Sequence, residues 1–253
     1  MPEHRGRPMR PIAAAVLVAA AMAAGSAAAE ETVVAWSVPE AALIDLLGVY
    51  DRAVRDAAVK RPSFEKPLTP IDRQRPAVRV VAFRWTGGGD VIGGNGRVTE
   101  PLWVSLPKEI KAACLGARDP VLALQQILGL PPRTGDYEMI SFAVAPRHVF
   151  RPCASGPEIG TTSCSFTLPS DPATAARAKA DPAFAATQQF VFQQMWSSYT
   201  YKVHSFGYPF TAMGWSYDWN PEAEDTYGIS EYIVRQGAPV TGVKRISPKA
   251  FCR

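Results

Sequence analysis

Gly228-Ile229-Ser230-Glu231-Tyr232-Ile233-Val234-Arg235, followed after Gln236-Gly237-Ala238-Pro239 by Val240-Thr241-Gly242-Val243-Lys244-Arg245-Ile246, is the stretch on which the fold class turns. Two runs rich in β-branched and aromatic residues, separated by a short Gly/Pro turn, read as consecutive antiparallel strands. Alternation along the first run puts Ile229, Glu231 and Ile233 on one face, so a carboxylate is set between two isoleucines. An ionisable group on an apolar face is either functional or paired.

Working outward, residues 77–85 and 102–106 read as strands, and so do residues 137–145, where Ile140, Phe142 and Val144 oppose Met139, Ser141, Ala143 and Ala145. Helical spacing of Leu43, Leu46, Leu47, Tyr50 and Val54 predicts a helix over 39–60, opened by Ser37 and Glu40 at capping-box spacing. Helices are also expected over 107–115, over 119–129 with Asp119 as N-cap and Pro120 behind it, and over 171–198 as one long element. Strands and helices do not alternate at regular lengths, which predicts an α+β fold: a mainly antiparallel sheet with N-terminal and central helices in a single domain.

The N-terminus reads as an export signal. Arg5, Arg7 and Arg10 precede an apolar run over 11–24, and Ala27-Ala28-Ala29 supplies a small-residue cleavage site before Glu30. The run is too short for the roughly 20 apolar residues of a membrane span. Residues 1–29 are therefore expected to be a signal peptide and 30–253 a disulfide-stabilised domain, periplasmic or secreted, with no membrane span after cleavage. Of 27 basic and 23 acidic residues, three and one lie in 1–29, leaving 24 against 22. A nearly neutral domain with scattered Lys and Arg argues against nucleic acid as a partner, leaving a small molecule or an envelope or extracellular protein.

Cys114, Cys153, Cys164 and Cys252 allow three disulfide connectivities. Spacing favours Cys153 with Cys164, across a Gly/Ser/Thr-rich loop, and Cys114 with Cys252. No C-x-x-C occurs, and His148 and His204 are the only histidines after the signal, so no metal is expected. The glycines at 87–89 and 93–96 fit neither phosphate-loop spacing and read as a hairpin loop. Asp218, Glu222, Glu224 and Asp225 do not follow the calcium-loop pattern and read as a solvated turn.

The last quarter of the chain is rich in aromatics interleaved with Gly, Ser and Asp, including Tyr199, Tyr208, Phe210, Trp215, Tyr217, Trp219, Tyr227 and Tyr232. Stiff rings with polar edges suit a ligand cleft. Trp215, Ser216, Tyr217 and Trp219 are the expected ligand-binding residues, and a binding domain without a cofactor is the first functional expectation.

Ser230-Glu231-Tyr232-Ile233-Val234, then Pro239 and Val243-Lys244-Arg245-Ile246, resembles the C-terminal catalytic strand of exported bacterial ADP-ribosyltransferase toxins. The resemblance implies an NAD-consuming enzyme, with NAD as substrate. Glu231 is then the catalytic carboxylate that stabilises the sugar cation as nicotinamide leaves. Arg84, in Val80-Val81-Ala82-Phe83-Arg84-Trp85, holds the phosphates, and Trp215-Ser216-Tyr217 is the nearest counterpart to that family's Ser/Thr-rich strand. This reading requires Arg84 and Glu231 to face one cavity. A glycosidase would instead pair Glu231 with Asp218 or Glu138. The absence of G-x-S-x-G leaves a triad hydrolase without its nucleophile elbow.

Overall fold

Strand β1 (Val78–Trp85) alternates so that Val80 and Ala82 enter one apolar layer while Val81 and Phe83 face another. Its partner β3 (Tyr137–Val144) does the same, with Ile140, Phe142 and Val144 on the first side and Met139 on the second. A sheet buried on both faces needs a cover on each, and that requirement organises the molecule.

The structure is a computed structural model and describes residues 40–199 and 207–253. The proposed signal peptide over 1–29, Ser37, Pro39, His204 and the other residues of 200–206 lie outside that description. The order of elements is α1 (Glu40–Ala58), β1, β2 (Leu102–Val104), α2 (Pro107–Cys114), α3 (Pro120–Ile127), β3, β4 (Val149–Phe150), α4 (Pro172–Ala180), α5 (Pro182–Tyr199), β5 (Trp215–Tyr217), β6 (Tyr227–Ser230), β7 (Tyr232–Val234), β8 (Val240–Ile246) and α6 (Pro248–Phe251). Strand pairing is antiparallel throughout these named strands, in the orders β1-β3-β8, β2-β7-β4 and β5-β6. A bridge between Val81 and Ser105, closed by backbone bonds of 3.0 and 2.9 Å, joins the first sheet to the second. The fold is α+β, and the described residues belong to one compact unit.

Three expectations need correction. The strand expected over 228–235 is two strands, because the chain leaves β5's sheet at Ser230 and enters β2's sheet at Tyr232, with Glu231 at the crossing. The helix expected over 171–198 is broken at Asp181-Pro182. Pro182 has no N–H to continue the helix, and Asp181 caps the new one by accepting from the Ala183 and Phe184 amides at 2.9 and 3.1 Å. The sheet is divided into three pieces rather than continuous.

The disulfides are Cys114–Cys252, from the end of α2 to the C-terminus, and Cys153–Cys164 within the long loop. No helix among the described residues is long and apolar enough to cross a membrane. Two closed disulfides fit an oxidising compartment. Arg151 is fully buried without a carboxylate partner among the described residues; it donates to the carbonyls of Thr69 and Thr161, both at 2.7 Å, and to Tyr232 Oη at 3.2 Å. A rigid guanidinium fork thus ties the connection before β1 to the long loop and to β7.

Candidate functional site

The cavity is formed where the two larger sheets meet at the Val81–Ser105 bridge. It has a volume of about 530 Å³. The β1 residues Val81, Phe83 and Trp85 form one side, joined by Tyr137 of β3, whose ring stacks on Phe83 at 4.7 Å. Residues 100–105 leading into and along β2 form the next side. The turn from Leu128 to Pro131 forms the third, and Gln194 and Ser198 of α5 with Tyr208, Pro209 and Phe210 complete it.

Each wall has a local cause. Gly129 closes α3 at a φ of 64°, a conformation that spares glycine the clash of a Cβ, and so turns the chain into the third wall. Trp219 holds that wall from behind, its indole N–H donating to the carbonyls of Leu130 at 2.8 Å and Gln125 at 3.1 Å. The Gln125 amide donates to Arg133 O and Tyr137 Oη, at 2.7 and 3.0 Å. Lys60 anchors the Tyr208–Phe210 side: its ammonium donates to Ala57 O, Tyr199 Oη and Phe210 O at 2.5, 2.8 and 3.1 Å, beneath the rings of Phe64, Phe166 and Tyr199. Burial pushes the Lys60 ammonium down to about 7, yet three acceptors and three ring faces match a cation. Lys60 does not line the cavity, and we assign it to structure.

Arg84 and Glu231 both line this cavity. Glu231 stands at the break between β6 and β7, its backbone N–H bonded to Gly214 O at 2.9 Å. Its carboxyl is half-buried against the cavity and has no side-chain hydrogen bond or ion pair among the described residues. With no cation or N–H beside it, burial alone pushes it up to about 8. Burial therefore favours the neutral carboxylic acid over the carboxylate at this position.

Arg84 uses Nε on Trp85 O at 3.3 Å and Nη2 on Gly88 O, while Nη1 is buried and unpartnered. The two-pronged phosphate grip expected from sequence is thereby reduced, since one prong holds the adjacent turn. Arg133, which sequence reading passed over, lies with its guanidinium 5.1 Å over the Trp85 ring at the same end of the cavity.

The chain matches no family model, no curated protein and no solved structure. The residues themselves are what bear on function.

Of the four expected ligand-binding residues after Glu231 and Arg84, only Tyr217 lines the cavity. Trp215 is fully buried against Phe64, its indole donating to Phe64 O at 3.0 Å. Ser216 is equally enclosed, donating to Ile127 O at 2.7 Å and accepting from the Ile229 amide at 3.0 Å. Trp219 supports the wall rather than forming it. These side chains pack α1 and α3 onto β5, because a three-residue strand buried on both faces has no side left for solvent. The Ser216 hydroxyl thus spends its hydrogen bonds inside the fold.

The partners imagined for a glycosidase are also elsewhere. Asp218 does not line the cavity, and neither does Glu138, which stands opposite Arg84 in the β1–β3 register and accepts from Arg245 at 2.6 Å. Trp85, Trp103, Arg133 and Tyr137 were missed in sequence, whereas Tyr208 belonged to the aromatic stretch read as a cleft. The four converge from three separate segments, and no local pattern announces that.

Proposed function

We propose that this protein is an exported binding domain for a small organic molecule, held in the cavity between the two larger sheets. The observation that carries the reading is that Arg84 and Glu231, far apart in sequence, both line one aromatic-walled cavity, and that the Glu231 carboxyl and Arg84 Nη1 have no hydrogen-bond partner among the described residues. Binding sites leave polar groups unsatisfied for a ligand to complete, whereas a structural interior satisfies them. The volume suits a molecule of ordinary metabolite size. Export follows from the signal-like N-terminus and is supported by the two disulfides.

Titration of the oxidised protein with Nile red, a neutral hydrophobic dye, tests the cavity. One-to-one binding, weakened at least tenfold by Glu100→Trp or Arg133→Trp at the exposed rim, supports it. Binding indifferent to both substitutions would place the site elsewhere.

A second reading, an NAD-consuming enzyme using Glu231 and Arg84, draws support from the same shared cavity. Against it stands the burial of that carboxyl, which favours its neutral form, where stabilising a sugar cation calls for a carboxylate. Nicotinamide release from NAD that disappears in Glu231→Gln would favour the enzyme. Absence of release would leave binding alone.

A further inference from the structure

Taking the cavity as the small-molecule site proposed above, we infer that its ligand is an organic amine: an apolar body carrying a single ammonium group, seated between Glu231 and the rings of Trp103 and Phe210.

The β2–β7 ladder places the carboxyl. Trp103 stands opposite Ile233 there, and Val104 opposite Tyr232. Leu102, Val104, Tyr232 and Val234 all enter the first apolar layer, so Trp103 belongs to the other face of this small sheet. Glu231 directly precedes Tyr232 and lines the cavity together with Trp103, which sets carboxyl and indole on that same face as diagonal neighbours across two strands. Phe210 meets the indole in a T-shaped contact, ring centroids 5.7 Å apart, and lines the cavity as well. Its backbone is held from behind, because Lys60 and Tyr199 both donate to the Phe210 carbonyl. This part of the cavity is therefore one carboxyl beside two fixed rings.

The other charged groups around the cavity are answered or face water. Arg84 stands opposite Glu138 in the β1–β3 register, helps to hold the Asp90 carboxyl low, and donates to Gly88 O. Arg133 is exposed and lies over the Trp85 ring, and Glu100 is exposed at the rim. Lys60, behind the wall, donates to three oxygens. Of the phenols, Tyr137 accepts from Gln125, Tyr217 donates to Asp56 at 2.7 Å, and Tyr208 is exposed. The Glu231 carboxyl lines the cavity with no side-chain hydrogen bond or ion pair among the described residues, and no neighbouring cation acts on it.

An ammonium supplies what is missing there. It gives the carboxylate a charged donor, and the negative ring faces attract it too. The apolar body of the amine then lies against Val81, Phe83 and Leu128. In a poorly solvated site such a pair counts for more than on the surface. Where Glu231 holds a proton, that proton passes to solvent as the ammonium arrives, leaving a neutral pair. An alcohol of the same shape offers only an ordinary hydrogen bond, and a carboxylate sets two like charges together.

Calorimetric titration of the oxidised protein at pH 7 with 4-phenylbutylamine, 4-phenylbutan-1-ol and 4-phenylbutyrate tests this, with displacement of Nile red to locate the binding. The amine is expected to bind one-to-one, displace the dye, and outbind the alcohol by about tenfold or more, as a charge-assisted bond requires. The carboxylate should bind more weakly than the alcohol. Glu231→Gln should bring the amine down to the affinity of the alcohol, whereas Glu231→Asp, which keeps the charge, should retain a preference for the amine. Equal affinity for amine and alcohol in the wild type overturns the inference. So does an amine preference that survives in Glu231→Gln, or a carboxylate that binds best, which would give the selectivity to Arg133. In each of these cases Nile red bound and blocked at the rim leaves the cavity itself standing. Failure of the dye and of all three probes removes both readings.

Discussion

Glu231 illustrates how one side chain can be legible as unusual from sequence while its role depends on what surrounds it. A carboxyl between isoleucines is visible in the alternation of residues 229–233, and in the structure it lines a cavity with no partner among the described residues. Its folded pKa of about 8 lies above the ordinary carboxylate range, so the folded state holds its proton more tightly than the unfolded chain. The contribution to stability is therefore fully present below about pH 4.5 and is lost as pH rises toward 8, where the unfolded chain is ionised and the fold resists ionisation. Partial exposure of the carboxyl reduces the effect below the full conversion of the shift. Glu231→Gln, which cannot ionise, should match the wild type near pH 4.5 and exceed it by about 2–3 kcal/mol at pH 8. Urea unfolding across that range reads the difference, and a gap that stays constant with pH would sink the account. Trp215 teaches the reverse lesson: aromatic content drew attention to it, yet it is fully enclosed and packs α1 onto β5.

At the level of elements, the decisive event is the crossing from β6 to β7. Gly228 lies just before it, where a Cβ would collide with the backbone carbonyls of Ser216 and Ile127. Both are main-chain atoms, fixed by β5 and by the end of α3, so neither can yield cheaply. Gly228→Ala should destabilise the fold by roughly 2–3 kcal/mol, a typical overpacking penalty, and loosen the wall from Leu128 to Pro131. Denaturant unfolding measures the first, and faster amide exchange at Leu128 and Leu130 the second. Wild-type stability in this variant would mean that β6 shifts freely. The same scale explains why strand 228–235 was expected to be continuous: β-propensity runs through Glu231 without interruption, and the switch of partner strand is imposed by neighbours distant in sequence. The break at Pro182 was, by contrast, written locally, since an Asp-Pro pair both ends one helix and starts the next.

For the whole molecule, the two disulfides act on very different lengths of chain. Cys114–Cys252 spans 138 residues and Cys153–Cys164 spans 11. Loop-closure entropy assigns about 5 kcal/mol to the first and about 3 kcal/mol to the second. Replacing Cys114 and Cys252 with Ser should therefore lower stability more than replacing Cys153 and Cys164. Chemical unfolding of the two double variants compares them directly, and a larger loss from the short loop would point to native packing around Cys153 instead of chain entropy. The long disulfide also holds α6 against α3 and β3, close to the second apolar layer, so its removal should be felt in the sheet as well as at the C-terminus.

Sequence by itself determined the α+β class, the places of α2, α3, β1, β3 and β8, and the favoured cysteine pairing. These depend on hydrophobic periodicity, on caps such as Asp119, which accepts from the Val121 and Leu122 amides, and on loop spacing, all of them local properties. It also singled out Arg84 and Glu231 as chemically notable. Only the tertiary structure decided that these two share a cavity, that Arg133, Tyr137 and Tyr208 join them, and that Trp215, Ser216 and Trp219 stand behind the wall. The physical reason is that a cavity is made by surfaces from separate segments failing to close on one another. That failure depends on register and on the bridge at Val81 and Ser105, neither of which is encoded in any one stretch of chain.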